Sequence, residues 1–119
     1  MRLWVSTRGA TTPIHFDACA SFLAQQRGTK RIVFFPPDAL AGLYPFPVDH
    51  PLHRRSRVSL YMGADERREV FPDFATLAEP LAQEIVLAEG DAILFPKHWW
   101  HQVETVSPLS VSLGCRYVS

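Results

Sequence analysis

The chain has 119 residues, enough for one domain spanning 1–119, and 47% of them are hydrophobic, which is ample for a core. Twelve basic residues balance twelve acidic ones, so no net field draws the chain to nucleic acid or to an anionic membrane. No stretch approaches the roughly 20 apolar residues of a membrane span, and the N-terminus lacks the apolar run of a signal peptide. Because Cys19 and Cys115 show no metal-binding spacing, we expect reduced thiols and a cytoplasmic protein.

Short apolar or alternating runs, separated by turn residues, predict an all-β domain. The predicted strands lie at residues 3–6, 11–17, 21–25, 30–35, 83–87, 92–96, 100–105 and 109–117. Residues 18–27 also fit a helix on propensity alone, which is the main local ambiguity. About eight short strands favour a sandwich or barrel over a helical fold.

Residues 38–73 break this pattern. They are rich in Pro, His, Arg and aromatic residues and show little periodicity, which predicts an ordered but irregular insertion. Within it, residues 57–61 are a candidate strand. Residues 74–81 are predicted to form a helical turn or short helix that ends near Pro80.

His15-Phe16-Asp17 and the distant His101 are the candidate metal ligands. In an extended segment residues two apart share one face, so His15 and Asp17 project side by side with Phe16 behind them. A nitrogen ligand from a strand that pairs nearby would complete the two-His, one-carboxylate triad of non-haem Fe(II) oxygenases. A lone His after a hairpin such as residues 89–100 is usually structural, but its conjunction with His-x-Asp favours metal binding.

Several motifs in combination resemble the JmjC (cupin-like) 2-oxoglutarate oxygenases. They are Thr12-Pro13-Ile14-His15-Phe16-Asp17, Phe22-Leu23-Ala24-Gln25, Gly28-Thr29-Lys30-Arg31, Phe35-Pro36-Pro37, Leu43-Tyr44-Pro45-Phe46-Pro47, Phe71-Pro72-Asp73-Phe74 and Trp99-Trp100-His101. The similarity runs from about residue 3 to 117 and, within the family, is greatest to asparaginyl hydroxylases of the factor-inhibiting-HIF type. It implies a double-stranded β-helix (a jelly-roll barrel) of about eight strands with an irregular insertion. It also implies Fe(II), with 2-oxoglutarate and O2 as co-substrates.

The resemblance, carried over by position, implies roles for individual residues. His15, Asp17 and His101 would hold the catalytic iron, and Lys30 would pair with the far carboxylate of 2-oxoglutarate. Thr12 would offer a hydroxyl donor to the same carboxylate. Independently, a dianion in an apolar barrel requires a desolvated cation with hydrogen bonds to match. For Lys30 taken alone, a solvated lysine at a strand end is the alternative.

Three positions in the implied pocket depart from the family. Ser21 stands in place of an asparagine near the co-substrate and can still donate a hydrogen bond. Gly114 stands in place of a second asparagine and cannot, so the pocket is expected to be looser or water-filled there. Arg116 replaces an aromatic residue and would bring a cation to the site if it points inward.

The substrate side departs as well, at Arg54-Arg55, where the asparaginyl hydroxylases have an Arg-Gln pair that contacts the target residue. A guanidinium in place of an amide removes an acceptor and adds a bidentate donor suited to carboxylates. We therefore take Arg54, Arg55 and Arg116 as candidate substrate contacts and expect an acidic group on the substrate. The alternative is that Arg55 lies in solvent.

The expected activity is hydroxylation of a C–H bond in a protein side chain of the Asn or Asp type, or in a peptide-like substrate. Succinate and CO2 would be released. The alternatives are a cupin-like metal-binding domain without catalysis, a small-molecule 2-oxoglutarate hydroxylase, and a lysine demethylase. The flanking strands and helices that form the family's dimer are not found in this sequence, so exposed sheet edges are expected, with self-association as a homodimer.

Overall fold

A computed structural model describes residues 1–117 and shows eight strands in two four-stranded antiparallel sheets. The strands are β1 Arg2–Thr7, β2 His15–Phe16, β3 Ala20–Arg27, β4 Lys30–Phe35, β5 Gln83–Leu87, β6 Ala92–Phe95, β7 Trp100–Thr105 and β8 Leu109–Tyr117. One sheet has the order β1-β8-β3-β6 and the other β2-β7-β4-β5. Successive strands alternate between the sheets except β4 and β5, which the insertion joins. This winding confirms the predicted all-β double-stranded β-helix.

Pairing with neighbouring strands decides the conformation of the two ambiguous segments before β4. Residues 20–27 form a strand because β3 lies between β6 and β8, and bonds on both sides outweigh helix propensity. The extended segment predicted at residues 11–17 is a regular strand only at β2, and Thr11 makes an isolated bridge to Glu104. Pro13 separates the two, since its nitrogen carries no hydrogen for a ladder bond.

The candidate strand at residues 57–61 is wrong, because these residues form turns and loop. The insertion instead holds a 3₁₀ turn at Pro37–Ala39, helix α1 at Leu40–Leu43 and helix α2 at Ala64–Val70. Helix α2 consists mostly of good helix formers but buries none of its residues, so it leaves no apolar period in the sequence. The helical prediction for residues 74–81 is confirmed by a π-helical turn at Phe74–Ala78 and a 3₁₀ turn at Glu79–Leu81.

Apolar side chains form two cores on opposite faces of the β2-β7-β4-β5 sheet. The inner core lies between the sheets and comprises Leu23, Ile32, Phe34, Leu87 and Phe95. The outer core lies between this sheet and the insertion and comprises Ile14, Phe35, Ala39, Leu43, Val58, Phe71, Phe74, Ala78 and Trp100. The insertion is therefore packed against the sheet and supports it from behind. No helix within residues 1–117 is long and apolar enough to cross a membrane.

Part of the barrel interior is polar and is closed by a hydrogen-bond network around Gln25, which is 1% exposed. Its amide nitrogen donates to Ser110 Oγ at 2.9 Å and to the Arg27 carbonyl at 2.7 Å, and its amide oxygen accepts from Ser112 Oγ at 2.6 Å. Both serines are fully buried. Because every member has a partner, the network holds β3 against β8 without an unsatisfied polar group.

Candidate metal centre and co-substrate cavity

The pairing of β2 with β7 brings two histidines from distant parts of the chain together. His15 lies directly opposite His101 in the register, and Phe16 lies opposite Trp100. Side chains opposite each other in an antiparallel pair share one face of the sheet. The two imidazole centroids are accordingly 4.4 Å apart, on the inner face of the sheet.

Asp17 completes the cluster two residues after His15, with the side chain on the same face. Its Oδ2 lies 3.6 Å from His101 Nε2, and the potential ligand atoms of His15, Asp17 and His101 all lie within 4.8 Å of one another. Two imidazole nitrogens and one carboxylate oxygen, gathered from two strands onto one face, are the ligand types of a facial-triad Fe(II) site. The structure thus places the three predicted ligands within reach of one ion.

Both histidines are held in the tautomer that metal binding needs. His15 Nδ1 lies 2.8 Å from the Pro13 carbonyl, and His101 Nδ1 lies 3.1 Å from the Trp99 carbonyl. A carbonyl oxygen only accepts, so each Nδ1 carries the hydrogen and donates it. Each Nε2 then keeps its lone pair for a metal ion. This arrangement is the usual outer support of metal-binding histidines.

Burial, assisted by the neighbouring His15, lowers the pKa of His101 to about 4. His101 is therefore neutral near pH 7, and its contact with Asp17 is not an ion pair with an imidazolium. With His101 neutral, the cation beside the Asp17 carboxylate is the exposed guanidinium of Arg116, 3.7 Å from Oδ1. A divalent cation bound by the three ligands would add positive charge within the cluster.

The neighbours of the ligands anchor them from behind. Ile14 and Trp100, next to His15 and His101 along the chain, point the other way into the outer core and are 1% and 2% exposed. The backbone N–H of His98 donates to the Asp17 carbonyl at 3.1 Å. His98 has φ 68°, a left-handed conformation that turns the chain into β7. The insertion and this turn thus orient the cluster without entering it.

The cluster opens into a cavity of about 420 Å³ between the two sheets, a volume typical of small-molecule sites. Its lining combines the three candidate ligands with residues from both sheets. The lining residues are Met1, Arg2, Trp4, Thr12, His15, Asp17, Ser21, Phe22, Leu23, Lys30, Phe95, His101, Val103, Gly114, Cys115 and Arg116. All three predicted co-substrate residues, Thr12, Ser21 and Lys30, are therefore on the walls of the same cavity as the metal cluster.

Lys30 is a buried cation facing this cavity. It is 6% exposed and lies on the inner face of β4 with Ile32 and Phe34. Burial lowers the pKa of its ammonium group. Within residues 1–117 it has no hydrogen-bond or ion-pair partner, and its nitrogen keeps some access to the cavity, because no fully buried side-chain nitrogen in these residues lacks a partner. A desolvated, unpaired ammonium is costly, and an anion in the cavity would offset that cost.

The inward positions of β7 define a direction from the metal cluster toward Lys30. His101, Val103 and Thr105 alternate along one face, and Lys30 lies opposite Thr105. His101 and Thr105 are four residues apart, which places their Cα atoms about 13 Å from each other along the strand. Thr12 stands at the middle level, where its Oγ1 accepts from the Val103 N–H at 3.0 Å and its own O–H stays available. An elongated dianion fits between these levels.

Comparison with known proteins gives the family of the chain. A model of the Cupin-like domain matches residues 1–117. The chain belongs to the Cupin-like domain family. The HSPB1-associated protein 1 homolog of Danio rerio is 34% identical over 113 residues, which cover 94% of this chain and 24% of that protein. Lysine-specific demethylase 8 of Xenopus tropicalis is 32% identical over 111 residues, which cover 93% and 23%.

This cupin-like domain thus spans about a quarter of the length of those relatives. Among solved structures, hydroquinone 1,2-dioxygenase PnpCD in complex with Cd²⁺ and 4-hydroxybenzonitrile has a TM-score of 0.54 and 16% identity. The match covers 98% of this chain and 57% of that one, and at this identity it shows the fold alone. The findings support the JmjC/cupin resemblance, whereas the similarity to asparaginyl hydroxylases in particular stays a prediction.

The candidate substrate arginines of this cupin-like domain separate into two groups. Arg116 lines the cavity, and its guanidinium lies 3.7 Å from Asp17 Oδ1. Arg54 and Arg55 are exposed and do not line the cavity; their backbone runs beside β2, where the Arg54 carbonyl accepts from Phe16. Their side chains lie near the strand that carries His15 but outside the cavity.

Two cavity residues, Arg2 and Trp4, were missed in the sequence. They lie on β1, whose outward residues Leu3 and Val5 alternate with them. Alternation separates two faces but does not say which one is inside, so the sequence left the direction open. The Trp4 indole lies beside Gly114, with Nε1 3.1 Å from the point where a Cβ would stand, while the expectation of a looser or water-filled pocket there stays a prediction.

Proposed function

We propose that this cupin-like domain is the catalytic domain of an Fe(II)- and 2-oxoglutarate-dependent dioxygenase that hydroxylates a C–H bond. One observation carries the proposal: a single cavity holds the His15, Asp17 and His101 cluster together with the buried, unpaired Lys30. A metal-binding domain without catalysis needs the three ligands but has no use for a desolvated ammonium in the same cavity.

The chemistry divides between the ion and the protein. His15, Asp17 and His101 would hold Fe(II), which when bound supplies oxygen activation coupled to decarboxylation of 2-oxoglutarate. The overall reaction is substrate C–H plus 2-oxoglutarate plus O2, giving the alcohol, succinate and CO2. The Pro13 and Trp99 carbonyls accept from the two Nδ1 atoms, so each Nε2 keeps its lone pair for the ion, and burial keeps His101 neutral near pH 7.

The co-substrate is oriented by groups on the other walls. Lys30 pairs with the carboxylate far from the metal, and Thr12 donates its hydroxyl to the same carboxylate. Ser21, which lines the cavity on β3, is a further donor. Leu23 and Phe95 line the cavity with apolar side chains, and the lower local dielectric beside them strengthens each of these interactions.

We further propose that the substrate carries an acidic group. Arg116 places a guanidinium 3.7 Å from a metal ligand, at the place where a substrate must approach. Arg2 adds a second cation on the cavity wall, and Arg54 and Arg55 add two outside it. Among the predicted Asn- and Asp-type targets, an Asp side chain is therefore the proposed one, and an acidic small molecule is the second candidate, since the open cavity has room for one. Cytoplasmic location and homodimer formation stay predictions.

Succinate release tests the proposal without knowledge of the substrate, because such enzymes can turn over 2-oxoglutarate uncoupled. The protein is loaded anaerobically with Fe(II), then given ascorbate, 2-oxoglutarate and air. We expect iron-dependent succinate from the wild type, none from Asp17→Ala, and wild-type amounts from the matched control Asp65→Ala, whose carboxylate is 99% exposed. No succinate from the wild type, with metal bound, favours a binding module.

Peptide turnover tests the substrate class. Matched peptides with Asp or Asn at the target position are compared in the same assay, with an acidic small molecule as a third arm. Preference for an acidic substrate, reduced by Arg116→Gln, supports the proposal. A clear preference for Asn that Arg116→Gln leaves unchanged contradicts it.

A further inference from the structure

Gly114 leaves a gap in the side chains of β8, and another residue fills it. An asparagine or any other side chain at this position would start with a Cβ only 3.1 Å from Trp4 Nε1 and 3.8 Å from Leu23 Cδ1. The first contact is tighter than ordinary van der Waals contact, so the indole would have to shift by a few tenths of an ångström to admit that Cβ. The ring nitrogen of Trp4 thus lies next to the space that a residue-114 side chain would enter.

The indole is held in this place from two sides. Leu3 and Val5 point outward and are 60% and 63% exposed, whereas Trp4 alternates with them and lines the cavity, with 47% of the residue still exposed. The Arg2 guanidinium lies 5.4 Å from the centroid of the ring, within the range of a cation–π contact. Arg2 is also paired with Gly114 in the register of β1 and β8. The ring therefore contacts this guanidinium, and its nitrogen-bearing edge faces the glycine.

The indole N–H is a donor without an acceptor. Trp Nε1 can only donate, and it makes no hydrogen bond to any group within residues 1–117. Because the ring lines the cavity, this hydrogen is available to an oxygen atom of a molecule bound there. An N–H bond to a carboxylate is charge-assisted and stronger than one to a neutral acceptor.

We propose that Trp4 is a positioning residue that donates its indole N–H to an oxygen of the dicarboxylate co-substrate. It supplies from β1 the donor that Gly114 on β8 lacks. The hydrogen-bond donor thus comes from β1 instead of the neighbouring β8, but it reaches the same part of the cavity. This proposal rests on the proposed function, since 2-oxoglutarate is the ligand.

Binding measured without turnover tests the role. N-oxalylglycine, a non-reacting mimic of 2-oxoglutarate, is titrated by calorimetry into protein loaded with Mn(II). Trp4→Phe keeps most of the ring but removes the donor, and we expect roughly tenfold weaker binding. The matched control is Leu3→Ala, a neighbour on β1 that points outward and should bind as the wild type does.

A double-mutant cycle separates donation from simple packing. Gly114→Asn alone should weaken binding, because its Cβ meets the indole, and Trp4→Leu alone should weaken it through loss of the donor. In the double variant Trp4→Leu with Gly114→Asn, the smaller leucine makes room for the asparagine amide, which can then donate to the ligand. The affinity for N-oxalylglycine should recover to within about threefold of the wild type. Losses that add in the double variant would mean that Trp4 only packs, and would overturn the proposal.

Two controls keep the outcomes distinct. Thermal unfolding of each variant shows whether it folds, and the double variant still tests the proposal if Trp4→Phe does not. If the wild type with Mn(II) does not bind N-oxalylglycine, the proposed function fails. If the wild type binds and Trp4→Phe binds equally well, only the role of Trp4 is refuted and the proposed function stands.

Discussion

Substitution of Lys30 by methionine should make the ligand-free protein more stable while it destroys co-substrate binding. The Lys30 side chain is buried and its ammonium is unpaired within residues 1–117, so the folded protein bears the cost of partly desolvating this charge. Methionine has a similar length and no charge. We expect a gain of about 1–3 kcal/mol in the free energy of unfolding, from the range for burying polar groups in proteins. At this chain length each kcal/mol raises Tm by roughly 4 °C.

The sign of the pH dependence follows from the lowered pKa of Lys30. Between that pKa and 10.5 the unfolded chain holds a proton that the folded protein has released, so stability rises with pH in that interval. The penalty is thus present at pH 7 and is relieved as the solution becomes alkaline. The Lys30→Met variant should lack this rise in the free energy of unfolding at alkaline pH.

Binding should change in the opposite direction. Removal of one partner of a buried charge pair costs about 2–5 kcal/mol, which corresponds to a loss of roughly 30-fold to several thousand-fold in affinity for N-oxalylglycine. Urea unfolding gives the stability and calorimetry with Mn(II) gives the affinity. Lys97→Met is the matched control, because Lys97 is exposed and lies outside the cavity. A Lys30→Met protein that is less stable, or that binds as the wild type does, refutes this account of the cavity.

Three further predictions concern the metal cluster and the polar interior. Loss of a residue that only hydrogen-bonds to a metal ligand weakens metal binding by up to roughly 100-fold, so loss of the ligand itself in Asp17→Ala should weaken Mn(II) binding by more than this. The control Asp65→Ala should bind Mn(II) as the wild type does. Equal affinities of the two variants by calorimetry would contradict the assignment of Asp17 as a ligand. As pH falls from 6.5 to about 4, His101 becomes protonated in the unfolded chain but stays neutral in the metal-free folded protein. The urea midpoint should therefore fall over this pH range. An equal fall in His101→Leu would show that His101 is not its cause. Gln25→Ala should cost about 2–4 kcal/mol by breaking two buried hydrogen bonds and one part-buried hydrogen bond, against less than about 0.5 kcal/mol for the exposed control Gln26→Ala. Similar urea midpoints for the two variants would refute the network.

Local chemistry made much of the fold predictable. β-branched and aromatic runs predicted the strands, and the alternation of side chains placed His15 and Asp17 on one face. The helical α2 went unpredicted because an exposed helix has no apolar period, and the candidate strand at residues 57–61 failed because no neighbouring strand pairs with it. Strand boundaries depended on the partners, as β3 shows.

The sequence by itself determined the ligand types, the division of each strand into two faces and the supply of a cation in Lys30, because these depend on neighbours along the chain. Only the tertiary structure decided which strands meet. It placed His15 opposite His101, left Lys30 unpaired beside the cavity, and turned Trp4 into the space beside Gly114. The reason is physical: register and burial arise from contacts between residues far apart in the chain, and no local pattern encodes them.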